Sequence, residues 1–156
     1  MSSPVHTAVR PLHVRSQSRC VVCGPDHPHG LRIRFNASSD GTVSAEWTPT
    51  SEWEGFEAII HGGIISTVLD EAMSKAVAAI GSVALTGELI VRYRSYVEPG
   101  HAYRIRGWIT ERKKRLLKTE AALTTPDGEE RAHAWATFIV PSKTRDSVTM
   151  PGELPA

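Results

Sequence analysis

The chain has 156 residues, with 18 Lys and Arg against 17 Asp and Glu and a formal net charge of +1. That balance excludes a non-specific nucleic-acid binder, whose phosphate contacts need a marked cationic excess. The length fits one domain that buries about two-thirds of its unfolded surface with no disulfide or metal to hold it, and no apolar run approaches the roughly 20 residues that cross a bilayer.

Residues 1–18 mix Ser, Pro, His and Arg without periodicity and lack the apolar stretch of a secretory signal, so they read as a flexible arm on a cytoplasmic protein. Cys20 and Cys23 form a C-x-x-C, which in that compartment is reduced or metal-linked rather than a structural bridge. No second C-x-x-C follows, and His27 and His29 lie closer than usual zinc patterns place them, so no metal is expected. A thioredoxin-like redox role lacks its βαβ context.

From Leu31 the pattern alternates strictly. Leu31, Ile33 and Phe35 point one way and Arg32 and Arg34 the other; after the turn Ser39-Asp40-Gly41, Val43, Ala45 and Trp47 continue it, which predicts a β-hairpin. Residues 49–60 read as a loop rich in Glu and aromatic side chains. A helix is then predicted from about Gly63 to Ile80, stopped by Gly81, with Ile64, Ile65, Val68, Leu69, Ala72, Met73, Ala76, Val77 and Ile80 on a broad apolar arc. Ser66, Thr67, Asp70, Glu71 and Ser74 fall on the other side, where Glu71 and Lys75 at i,i+4 form a solvated ion pair and Asp70 has no cationic partner one turn on.

Four strands are expected next. Leu89, Val91, Tyr93 and Val97 alternate with charged residues, as do Tyr103, Ile105 and Ile109. Residues 117–125 and 131–140 follow, joined by Pro126-Asp127-Gly128, and the small residues Ala132, Ala134 and Ala136 leave room for a close neighbour. Residues 142–156 show no period. The layout is α+β, one sheet curling round a single helix, over a domain spanning residues 19–141.

The chemistry concentrates at His61-Gly62-Gly63. Two glycines at a helix start present bare N–H groups where the helix dipole favours negative charge, with an imidazole beside them.

These residues resemble the hotdog-fold acyl-CoA thioesterases, in particular the PaaI-like and human thioesterase-superfamily branch. The resemblance rests on Cys20-Val21-Val22-Cys23-Gly24 with Gly30-Leu31, on Glu54-Gly55-Phe56 leading to His61-Gly62-Gly63, on Asp70, on Thr86 before the strand, and on Asp127-Gly128. It implies hydrolysis of an acyl- or aryl-CoA to free acid and CoA, with Asp70 as general base or nucleophile. Thr86 would hold the attacking water, His61 would orient the thioester, and Gly62 and Gly63 would form the oxyanion site. No cofactor is implied, since coenzyme A is part of the substrate. The C-x-x-C is expected to be a structural turn. Where some relatives carry Asn or Gln ahead of the His, this chain has Trp53-Glu54-Gly55-Phe56-Glu57, with Glu54 as a substitute polar contact.

The exposed cluster Arg112-Lys113-Lys114-Arg115, a solvated turn by pattern, is suited to CoA phosphates. Ile59, Ile60, Trp53 and Phe56 point to an apolar acyl pocket. At 1.5 Å of rise per residue, Asp70 lies about 13 Å along the helix from the amides at its start and cannot reach them. The family's arrangement answers this with a homodimer, or a tetramer built from it, whose sites combine Asp70 and Thr86 of one subunit with His61 and Gly62 of the other. Two other readings stand beside hydrolysis: a non-catalytic acyl-CoA-binding module on the same fold, and a hotdog hydratase or dehydratase, whose Asp and His arrangement is not found here.

Overall fold

The computed structural model describes residues 9–12 and 17–142. Its centre is helix α1 (Gly62–Ala79), which starts one residue before the predicted position. The helix ends as the sequence requires: Gly81 takes a φ of 75°, open to glycine without strain, and its amide donates to the Ala78 carbonyl at 2.9 Å.

The strands are β1 (Val9–Pro11), β2 (Asn36–Ser38), β3 (Val43–Trp47), β4 (Glu54–Phe56), β5 (Ile59–Ile60), β6 (Leu85–Tyr93), β7 (Tyr103–Lys113), β8 (Leu116–Thr124) and β9 (Glu130–Ile139). Seven of them form one antiparallel sheet in the order β1-β2-β3-β7-β8-β9-β6, and α1 packs on one face of it, mainly against β7, β8 and β9. This is the predicted α+β layout.

Three expectations change. Residues 31–35 keep their alternating burial, with Ile33 and Phe35 inside, but form no strand. The amides of Leu31 and Ile33 donate to the carbonyls of Val21 and Val22 instead, and Arg32 sits at a φ of 56°, which breaks the ladder. The loop predicted at 49–60 contains a short 3-10 turn (Ser51–Trp53) and the hairpin β4–β5, reversed at Ala58 with a φ of 59°. From the predicted arm, Val9–Pro11 adds a strand beside β2, and Leu12 is buried. Residues 143–156 of the expected tail lie outside the described residues.

The close approach foreseen for the alanines of β9 is tightest on β7. A Cβ on Gly107 would fall 2.5 Å from the Ala72 carbonyl oxygen, so the helix lies directly on the strand backbone there. The buried alanines of β8 and β9, Ala121, Ala132, Ala134 and Ala136, extend this shallow floor. One part of the helical wheel is overturned: Glu71 and Lys75 are buried rather than solvated, because the segment carrying Gln17, Cys20 and Cys23 covers the face opposite the sheet.

At the far edge, β6 is paired on one side only. Leu85, Ile90 and Tyr93 along it are exposed, a long apolar strand edge of the kind that pairs with another chain.

Candidate active site

Asp70 sits on α1, half-buried, and accepts a hydrogen bond from the Thr86 hydroxyl at 2.8 Å. A bulge makes that contact. Along β6, Leu89 and Val91 face the helix, so Thr86 in unbroken register would point outward with Glu88 and Ile90. The β6–β9 register slips between Thr86 and Glu88, leaving Gly87 as the extra residue, and Thr86 pairs with the buried Phe138 on the helix-facing side. Glycine keeps the bulge clear of its neighbour, since a Cβ would stand 2.7 Å from Ile139 Cδ1, the movable tip of a partly exposed side chain.

Burial pushes the Asp70 carboxyl above the ordinary carboxylate range; the Thr86 bond opposes this and the neighbouring Glu71 adds to it. Among the described residues no cation pairs with Asp70. The group is thus a more basic carboxylate than a solvated one, held in a fixed rotamer.

At the start of the helix, His61 is the N-cap, and its Nδ1 accepts from the Gly63 amide at 2.8 Å. The two amides were expected bare; that of Gly63 is taken, and only that of Gly62 has no acceptor among the described residues. With Nδ1 accepting, the neutral ring carries its proton on Nε2 and presents a donor outward. Gly55 packs beneath the ring, where a Cβ would meet His61 Cδ2 at 3.0 Å.

Two further polar residues gather here. The Tyr93 hydroxyl donates to the Gly62 carbonyl at 2.8 Å and meets the Ser66 hydroxyl, which also bonds that carbonyl at 3.2 Å. The sequence reading missed both: Tyr93 ends an apolar alternation and reads as core, and only the one-turn spacing of Ser66 from Gly62 pointed to it. A pocket of about 300 Å³ opens beside them, lined by Phe56, Ile59, Ile60, Gly62, Ile65 and Tyr93 among others. Trp53 is turned into the core instead, and Glu54 does not line the pocket.

The structure therefore separates two half-sites. His61, Gly62 and Tyr93 lie at one end of α1, Asp70 and Thr86 more than two turns away. The exposed residues Arg112, Lys113, Lys114 and Arg115 belong to the second end: Arg112 of β7 pairs with Leu117, Leu117 with Phe138, and Phe138 with Thr86, one row across the sheet.

Cys20, Cys23 and Glu71 have donor atoms within 4.8 Å of one another. The Lys75 ammonium, 3.4 Å from Glu71 Oε1 and almost fully buried, already holds that carboxylate and would repel a cation, so the donor set fits a metal poorly.

With this geometry in hand, the thioesterase superfamily model matches residues 57–132, which run from the β4–β5 turn through α1 into β9. Over that segment the chain resembles the thioesterase superfamily. Its sheet and single helix are those of the hotdog thioesterases. A thioesterase superfamily protein of known structure is 24% identical, with a TM-score of 0.73 over 76% of this chain and 61% of that one. Escherichia coli PaaI from the phenylacetic acid degradation operon is 15% identical, with a TM-score of 0.67 over 73% of this chain and 83% of its own. The Streptococcus mutans protein smu.793, solved bound to acetyl CoA, is 21% identical, with a TM-score of 0.63 over 67% and 85%. An uncharacterised protein of Schizosaccharomyces pombe is 33% identical over 101 residues, 61% of this chain and 58% of the yeast protein, so the chain spans under two-thirds of that relative. No helix among the described residues is long and apolar enough to cross a membrane.

Proposed function

We propose that the protein hydrolyses acyl-CoA thioesters at sites shared between two copies. The observation that carries this reading is the Asp70–Thr86 pair: a half-buried carboxylate without a cationic partner among the described residues, made more basic by burial and fixed by a hydroxyl that a bulge brings into reach. In a thioesterase, that is the group suited to take a proton from water as it attacks the thioester carbon, or to attack that carbon itself. The C–S bond then breaks and CoA leaves as the thiolate.

Oxyanion stabilisation falls to the free Gly62 amide at the positive end of α1, with the Nε2–H of His61 available to the same oxygen. The β6 edge supports the joining of the half-sites. Two β6 strands paired antiparallel about Ile90, with Gly87 left out of the pairing as it is against β9, set Thr86 of one copy opposite Tyr93 of the other on the helix side of the joined sheet, and Tyr93 touches Gly62. The apolar pocket at Phe56, Ile59 and Ile60 takes the acyl group, and Arg112, Lys113, Lys114 and Arg115 meet the CoA phosphates, in keeping with a structural relative that binds acetyl CoA.

A thiol-release assay over aryl-, short-, medium- and long-chain acyl-CoAs tests the reading on wild type and Asp70→Asn. Turnover of at least one class is expected, with a loss of about 10²–10⁴-fold in the variant. An Asp70→Asn enzyme of near-normal rate refutes the assignment, and CoA binding without turnover in wild type points to a binding module. Activity from a strictly monomeric protein refutes the shared site.

A further inference from the structure

On the side of α1 away from that site, the C-x-x-C is built into a buried polar cluster that hydrolysis does not use. We propose that Cys20 and Cys23 form a redox-active dithiol that exchanges with small-molecule disulfides, Cys20 attacking and Cys23 resolving. Both residues are free thiols, half-buried, with their sulfurs within 4.8 Å. The backbone holds them there. Gly24 donates to the Cys20 carbonyl at 2.9 Å in a turn so tight that a Cβ on Gly24 would fall 2.4 Å from Cys20 N, and the Val21 and Val22 carbonyls are pinned by Leu31 and Ile33.

The surroundings divide the two sulfurs into different roles. Cys20 Sγ accepts from the Val22 amide at 3.4 Å, and Lys75 adds positive charge nearby. Cys23 Sγ donates to Glu71 Oε1 at 3.1 Å, and the Lys75 ammonium is shared between Glu71 and the Gln17 side chain. The neighbouring Cys23 thiol, with two amides and Lys75, outweighs burial and lowers the Cys20 thiol to about 5. The neighbouring Cys20 thiolate, burial and the Glu71 charge all push the Cys23 thiol up.

At neutral pH the Cys20 thiolate attacks one sulfur of RS–SR, forming a mixed disulfide and expelling RS⁻, which takes a proton from solvent. Cys23 then passes its proton to the Glu71 carboxylate, whose own affinity for a proton is raised by burial, and its thiolate attacks Cys20 Sγ. The second RS⁻ leaves and takes up a proton, Glu71 returns to its carboxylate, and the protein has lost two electrons that reduce RS–SR to two RSH. Beside the pair, Cys23 and Lys75 line an open cavity of about 690 Å³ with Arg32 and Arg34 at its wall; Cys20 does not line it, so an incoming disulfide meets Cys20 from that residue's own half-exposed side.

The test uses the full chain, equilibrated in glutathione redox buffers, trapped with a maleimide and weighed intact. A single reversible transition to a species lighter by two hydrogens is expected. Cys20→Ser should form no adduct, Cys23→Ser should accumulate one glutathione, and Glu71→Gln should resolve the adduct about 10²-fold more slowly, as loss of a positioned base does. Wild type alone gives an independent check, since Cys20 alkylation should be half-maximal near pH 5. A wild type that stays a dithiol in buffers that oxidise a control dithiol overturns the proposal. So does purified protein holding one equivalent of metal with both thiols protected, or Cys20 alkylation that rises only in the range of an ordinary thiol.

Discussion

A single methyl group on Gly107 would press directly against the element that carries Asp70. Its Cβ would lie 2.5 Å from the Ala72 carbonyl oxygen, 2.7 Å from the Ala72 carbonyl carbon and 3.2 Å from its Cβ. Ordinary carbon contacts begin at about 3.5 Å, so α1 and β7 must separate by close to an ångström, and the two nearest atoms are backbone that no rotamer can move. Overpacking of this kind costs about 1–3 kcal/mol, and the rigid partner puts Gly107→Ala at the upper end. For a domain near 150 residues each kcal/mol lowers Tm by about 2–4 °C, so a fall of roughly 5–12 °C is expected by calorimetry or circular dichroism, with a matching drop in the urea midpoint. Truncating the neighbour should not help, because Ala72→Gly removes only the farthest of the three atoms. A Gly107→Ala protein with wild-type Tm, or one restored by Ala72→Gly, would refute the close-contact account.

Three other outcomes follow from the same geometry. The raised pKa of Asp70 means the folded state holds its proton more tightly than the unfolded chain, so stability falls as pH rises from the ordinary carboxylate value to the raised one. Asp70→Asn should therefore gain stability over wild type across that window and hold the gain above it, and denaturant midpoints showing no pH dependence in the difference would contradict this. Lys75→Met leaves Glu71 buried without its partner and should cost about 3–5 kcal/mol, most of it recovered when Glu71→Gln is added; a single-variant cost below about 1 kcal/mol would count against the buried pair. Replacing Arg112 and Lys113 by Ala should raise KM for the acyl-CoA about two- to fivefold with kcat nearly intact, as exposed charges that only bind should, and a fall in kcat instead would place them nearer the chemistry.

The sequence carried local patterns well and contacts between distant segments poorly. Helix α1 was legible because its apolar spacing, its glycine stop and its His-Gly-Gly start are all local signals, and the alternation of β7, β8 and β9 is equally local. Residues 31–35 show the limit: their burial alternates as a strand's does, yet their amides find partners at Val21 and Val22, which no periodicity predicts. Glu71 and Lys75 read as a solvated pair for the same reason, since a helical wheel cannot know that Gln17, Cys20 and Cys23 fold over that face.

Composition, spacing and turn chemistry determined the α+β class, the central helix and the presence of a histidine, two glycines and an aspartate in one stretch. These are properties of a chain with its neighbours within a turn or two, where geometry is fixed by 3.6- and 2-residue periods. Tertiary structure decided the rest: a bulge at Gly87 turns Thr86 onto Asp70, the His61 ring takes the Gly63 amide, Gly107 admits the helix to the sheet, and a buried lysine sits under two cysteines. Each depends on which residue of a remote strand or loop arrives opposite, and register and long-range packing set that only when the whole sheet closes on the helix.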